Sequence, residues 1–262
     1  MSASLVLGLK MVIAATIVVL TSIIAEKSRP FIAAMVATLP VSAGPALVFI
    51  ALDHDDAFLS GTLMGAMATN MSTAAYCLAY AVVAQRAGTI LSLGAALAAW
   101  AIANILLRQF DWTLLASLAA NIAVYAVAIP LSGRFRTNQR AVAPPRAWYA
   151  IPVRALAVAC LVLAVTTLSW TLGPYYSGVL AAVPLALSSL IAILQPRIGG
   201  PQTAALISNT LVGLLGFGFA LAAAVAAVPL VGRFWALGVG LGFCLAWNGA
   251  LVLIQRRKVA GA

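Results

Sequence analysis

Two stretches of this chain place proline and serine where an apolar helix would otherwise run unbroken. Pro40-Val41-Ser42-Ala43-Gly44-Pro45 interrupts the apolar run that opens at Pro30-Phe31. Pro184-Leu185-Ala186-Leu187-Ser188-Ser189 interrupts the run that opens at Pro174-Tyr175. Proline removes a backbone donor and displaces the carbonyl one turn earlier. Inside lipid, the freed groups must be met by protein, trapped water or ligand. Free carbonyls suit a cation, and a half-helix N-terminus suits a negative group. The chemistry on offer is therefore recognition of an ion or small polar solute, with no covalent step. A plain proline kink, satisfied by serine hydroxyls and neighbouring helices, is the alternative.

Further polar residues fall near the middle of two other apolar runs. Thr69, Asn70, Ser72 and Thr73 form one group; Ser208, Asn209 and Thr210 form the other. An asparagine amide carries two donors and an acceptor, and leaving them unmet in hydrocarbon is costly. These residues either bind a ligand or join helices. Asn121 lies at similar depth in a run of its own, and helix-to-helix bonding is the expectation there. Gly61, Gly65 and Thr69 share one helical face, as do Asn209, Gly213 and Gly216, and Gly238 and Gly242. Small residues at this spacing read first as close-packing stripes.

Equally telling is what the apolar runs lack. No Asp or Glu lies in the central part of any of them, so a buried carboxylate relay for protons is not expected. The lone histidine, His54, sits in the turn Asp53-His54-Asp55-Asp56, which reads as a solvated turn. Ligand spacings for a metal, a catalytic triad or a phosphate loop are missing. The chain is not expected to be an enzyme or to need a cofactor. Cys77, Cys160 and Cys244 are far apart inside apolar runs and read as small core residues.

The elements that must position these residues follow from composition. The 262 residues are 64% hydrophobic and 8% charged, against about 25% charged in soluble domains. The fold class is all-α and polytopic. The expected spans cover 6–25, 31–52, 58–83, 88–107, 112–131, 152–172, 174–195, 202–225 and 234–254. Trp112, Trp148, Trp170 and Trp235 fall at span ends, where indoles prefer to sit. With the N-terminus outside, the inside loops and tail hold 12 of the 15 basic residues. Only Lys10, Arg108 and Arg233 fall outside, so an N-out, C-in orientation is expected. The net charge of +10 is spread over short loops, which argues for membrane topology and against nucleic-acid binding. The densest basic loop, 132–151, is expected to meet anionic lipid headgroups.

Lys10–Ala51 aligns without a gap on Arg154–Gln195, with five identities that include Pro30 with Pro174 and Pro40 with Pro184. Further on, Thr69-Asn70 meets Ser208-Asn209. The organisation expected is a four-helix repeat over 1–110, a linker helix and basic loop over 111–151, and a second repeat over 152–262. A single linker span inverts the copies, a common plan for secondary transporters.

The run Glu26-Lys27-Ser28-Arg29-Pro30-Phe31-Ile32-Ala33-Ala34-Met35-Val36-Ala37-Thr38-Leu39-Pro40 resembles the opening of the GlpM-like group of small bacterial membrane proteins. The likeness covers about the first 100 residues and returns more faintly from Gly173. It implies a bacterial inner-membrane protein and a fused pair. Pro30 before the aromatic and the added Pro45 depart from the group's pattern. The leading expectation is a transporter or facilitator for a small neutral or anionic solute. Its site would be Pro40, Ser42, Gly44, Pro45, Thr69, Asn70, Ser72, Thr73, Pro184, Ser188, Ser189, Ser208, Asn209 and Thr210. A non-transporting subunit that assists an envelope or polysaccharide enzyme complex is the second expectation.

Overall fold

The computed structural model describes residues 3–27, 42–135 and 149–260. Pro30, Phe31, Pro40, Trp148 and most of the basic loop lie outside the described residues. Eight helices account for nearly all the rest: α1 (Ala3–Lys27), α2 (Ala43–Asp53), α3 (Asp56–Val83), α4 (Thr89–Leu107), α5 (Leu114–Ser132), α6 (Ala150–Ala181), α7 (Leu185–Ile198) and α8 (Gly200–Ala260). A single 3-10 turn, Gly133–Phe135, follows α5. No strand occurs among the described residues. Four helical stretches are long and apolar enough to cross a membrane: Thr89–Leu107, Leu114–Phe135, Ala150–Ala181 and Gly200–Ile254. Three shorter apolar helices accompany them.

Local sequence explains the ends. The Asp55 carboxylate accepts from the Phe58 amide at 2.8 Å and caps α3, and Asp56 adds negative charge to its first turn. Thr113 caps α5 in the same way. Two long helices are hairpins in disguise. Gly173 (φ 75°) divides α6 and Gly232 (φ 76°) divides α8, a backbone region open to glycine and strained for other residues. Beyond Gly232 the chain doubles back. Trp247 Nε1 donates to the Val212 carbonyl, and Gly240 packs on Ala220 and Ala224. The 226–233 loop expected from sequence is thus a single-residue turn, because Ala-rich helix runs on to 231.

α3 is the spine. Its 28 residues are buried along most of their length, yet it is not among the four stretches long and apolar enough to cross a membrane. The reason is physical: α3 faces other helices on nearly all sides, so its middle can carry polar groups that lipid would reject. The hydrophobic core lies in two clusters along it. One gathers Val18, Leu47, Leu63, Met67, Val162 and Leu221. The other holds Tyr76, Cys77, Tyr80, Tyr125, Ile191 and Leu211.

Contacts also fix two ends. At one, the Asp53–Asp56 turn meets Lys10, Ser169 and Arg233. At the other, Ala84 meets Gly200, and Gln195 meets Ala87. Residues 174–198 run parallel to α3 from the first end to the second, and the first arm of α8 returns antiparallel.

Candidate functional site

A polar seam follows α3 through its buried middle. Thr69 Oγ1 donates to Asn104 Oδ1 of α4 at 3.1 Å, and Asn104 Nδ2 donates to the Trp100 carbonyl at 3.0 Å. Asn70 Nδ2 donates to the Leu214 carbonyl of α8 at 3.0 Å. The Tyr125 hydroxyl of α5 donates to the Asn70 carbonyl at 2.8 Å. Ser72 and Thr73 turn their hydroxyls back to Ala68 and Thr69 of their own helix. Asn70 thus joins α3, α5 and α8.

Lower on the same helix the seam meets the broken segment. The chain leaves helical geometry at Ala182–Pro184, and α7 starts at Leu185. Ser188 donates to the Pro184 carbonyl at 2.8 Å, and the Tyr76 hydroxyl lies 2.9 Å from Ser188 Oγ. Tyr80 donates to Gln195 Oε1 at 2.9 Å, and Gln195 Nε2 donates to the Ala87 carbonyl at 3.0 Å. Pro184 is buried at the break. Ser189 bonds back to Ala186 of its own helix.

The second predicted polar group is arranged differently. Ser208 is buried, whereas Asn209 is exposed and Thr210 bonds back to Ile207. Ser42 precedes α2 without capping it through its side chain. Among the described residues nothing lies within 4 Å of where a Cβ on Gly44 would sit, and Pro45 is buried. Pro40 falls outside the described residues. The structure therefore places two separate polar groups on α3: Thr69 and Asn70 with Asn104, Leu214 and Tyr125, and Tyr76 with Ser188 and Pro184. Asn209 stays out of both.

Several partners escaped the sequence reading: Tyr76, Tyr80, Asn104, Tyr125 and Gln195. Ser72, Tyr76 and Tyr80 recur every four residues on one helical face, a signal available in the sequence. Asn121 was expected to bond another helix. It is 1% exposed, yet neither amide atom has a hydrogen-bond partner among the described residues, and its side chain rests on Gly218.

Glycine stripes divide cleanly. A Cβ on Gly65 would overlap the Tyr175 carbonyl, one on Gly61 would press on Pro174, and one on Gly178 would overlap the Thr62 carbonyl. Gly216 gives way to Trp247 in the same manner. Gly238 and Gly242 meet nothing, because Gly240 is the residue that turns inward. Cys77 and Cys244 are buried as expected, but Cys160 is exposed on α6.

The acidic turn is only partly solvated: Asp55 is exposed, whereas its neighbours are paired. Asp53 pairs with Lys10 of α1, and Asp56 pairs with Arg233 at 2.9 Å. Arg233 also donates to the Ala51 carbonyl at 2.7 Å. His54 stacks on Phe58 with ring centroids 3.7 Å apart. Its Nε2 lies 2.9 Å from Ser169 Oγ. Burial lowers the imidazole's pKa from 6.5, opposed by the Asp53 and Asp55 carboxylates.

No group of His, Cys, Asp or Glu among the described residues could hold a metal ion. Two shallow surface depressions, one at Val231, Trp235 and Gly238 and one at Gly88 through Ala98, are lined mainly by apolar atoms. No family model, curated protein or solved structure matches this chain.

Proposed function

We propose that the chain is a multi-pass protein of the bacterial inner membrane that transports or facilitates movement of a small neutral or anionic solute. It works by alternating access around the break in 182–184, whose Pro184 aligns with Pro40 in sequence. The observation that carries this reading is the juxtaposition of a buried helix break with neutral polar groups: Pro184 and Ser188 against Tyr76, with Asn70 and Thr69 further along α3. Such groups recognise a solute by hydrogen bonds and by the dipole of a half-helix.

Nine spans in two inverted repeats, N-out and C-in, form part of the proposal. Its support is that helices paired by the repeat are antiparallel neighbours. Asn70 meets Leu214, and Ala84 meets Gly200. Both described half-helices, Ala43–Asp53 and Leu185–Ile198, begin just past their aligned prolines. Kinship with the GlpM-like group and contact of the 132–151 loop with anionic headgroups belong to the same proposal.

Purified full chain in proteoliposomes tests it against a panel of small neutral and anionic solutes. Saturable flux that falls about tenfold in Asn70→Ala is expected, the scale of one lost hydrogen bond to substrate or scaffold. Absence of flux across the panel, with Asn70→Ala leaving the in-cell phenotype intact, overturns it. Stable co-purification with an envelope enzyme alongside absent flux would favour the subunit reading.

A further inference from the structure

The two sides of the break at 182–184 are held against α3 by different means. Residues 174–181 dock through close main-chain contacts and the Pro174 ring. Gly61 faces Pro174, Gly65 faces the Tyr175 carbonyl, and Gly178 faces the Thr62 carbonyl, each with no room for a Cβ. An arm seated in this way moves only if the backbones part. Residues 185–198 dock through side chains. Ser188, one turn past the hinge, meets Tyr76; Gln195, in the last turn, meets Tyr80, Ala87 and, at 3.4 Å, Ser92. Only Ile191, Ile193 and Gln195 of this half-helix are buried. Elements with few buried contacts open first.

We propose that α7 is a gate hinged at 182–184, with Tyr76, Tyr80 and Gln195 as the latch that holds it shut on α3. The proposal rests on the transport reading, and it says which half of the broken segment swings. Each latch bond is neutral and exchangeable with water, so opening leaves no bare charge behind. Ile191, fully buried between the two latch points, is the plug that leaves with the gate. The surface uncovered belongs to the core cluster that contains Ile191, Tyr76 and Tyr80.

Ile191, on the gate, is fully buried, and Cys244, on the second arm of α8, is 2% exposed. A thiol placed by Ile191→Cys reports on the gate and Cys244 on the integrity of the fold. Full-length Ile191→Cys protein in lipid nanodiscs is treated with N-ethylmaleimide, and each cysteine is followed by mass spectrometry. With Tyr76→Phe/Tyr80→Phe added, the thiol at position 191 is expected to react about thirtyfold faster, from the loss of two hydrogen bonds, with Cys244 unchanged. Gln195→Leu is expected to act in the same direction. Labelling at position 191 unchanged by both sets of substitutions overturns the gate, as does a joint rise at position 191 and Cys244. Flux is read separately. Faster labelling at position 191 without flux keeps the gate and removes transport; flux with unchanged labelling does the reverse.

Discussion

The two ends of the molecule are fastened by opposite chemistry. At the end that carries the Asp53–Asp56 turn, charge ties α1 to the α2–α3 turn through Lys10 and Asp53, and the start of the second α8 arm through Arg233 and Asp56. At the other end, Tyr76–Ser188 and Tyr80–Gln195 hold α7 with neutral groups. Parting a half-buried ion pair strands charges in a poor solvent for them, whereas parting neutral hydroxyls and amides costs about 1 kcal/mol each. The difference teaches where motion is cheap: the charged end is an anchor, and the neutral end can open.

The sharpest break of this comparison is Asp53→Ala. It leaves Lys10, whose side chain is 14% exposed, without its carboxylate. A loss of about 3 kcal/mol is expected, read as a lower Tm in detergent, and Lys10→Met in the same background should recover part of it. The Tyr76→Phe/Tyr80→Phe pair should cost about 2 kcal/mol at most, with no dependence on salt. A loss equal to that of Asp53→Ala would erase the distinction between the ends.

Acidification probes the anchor alone. Because the folded-state pKa of His54 lies below its ordinary 6.5, folding favours the neutral ring. Its contribution is complete above that value and declines as pH falls through the lowered pKa. Thermal stability should therefore drop on the acid side in the parent chain, and His54→Gln should remove that component. The smallest effects belong to Asn209→Ala and Gly238→Ala, each within about 1 kcal/mol. Asn70→Ala should exceed Asn209→Ala, since only Asn70 joins three helices.

Much of the frame was legible because its signals are local. The break at Pro184, the turn at Asp53–Asp56 and the division at Gly173 follow from proline, clustered charge and glycine. Pairings across helices were less legible. Tyr76, Tyr80 and Tyr125 count as apolar in any hydropathy reading, and only their neighbours reveal that each hydroxyl has work to do. Gln195 looked like the polar end of a span, and the structure gives it three partners. Gly238 and Gly242 repeat at the spacing of a packing stripe, but rotation of the second α8 arm turns Gly240 inward instead. Ion pairing at the acidic turn needed Lys10 and Arg233, 43 and 177 positions away from their partners.

The central claim is that α7 moves against a fixed α3 and α5. Its most direct test is a distance distribution between spin labels at Ala192→Cys on α7 and Val127→Cys on α5, with Cys77, Cys160 and Cys244 replaced, in lipid bilayers. Both positions are exposed, so the labels do not disturb the core. The account predicts two distance populations, with the minor one growing when Tyr76 and Tyr80 are changed to phenylalanine. A single population, unchanged by those substitutions, would contradict it.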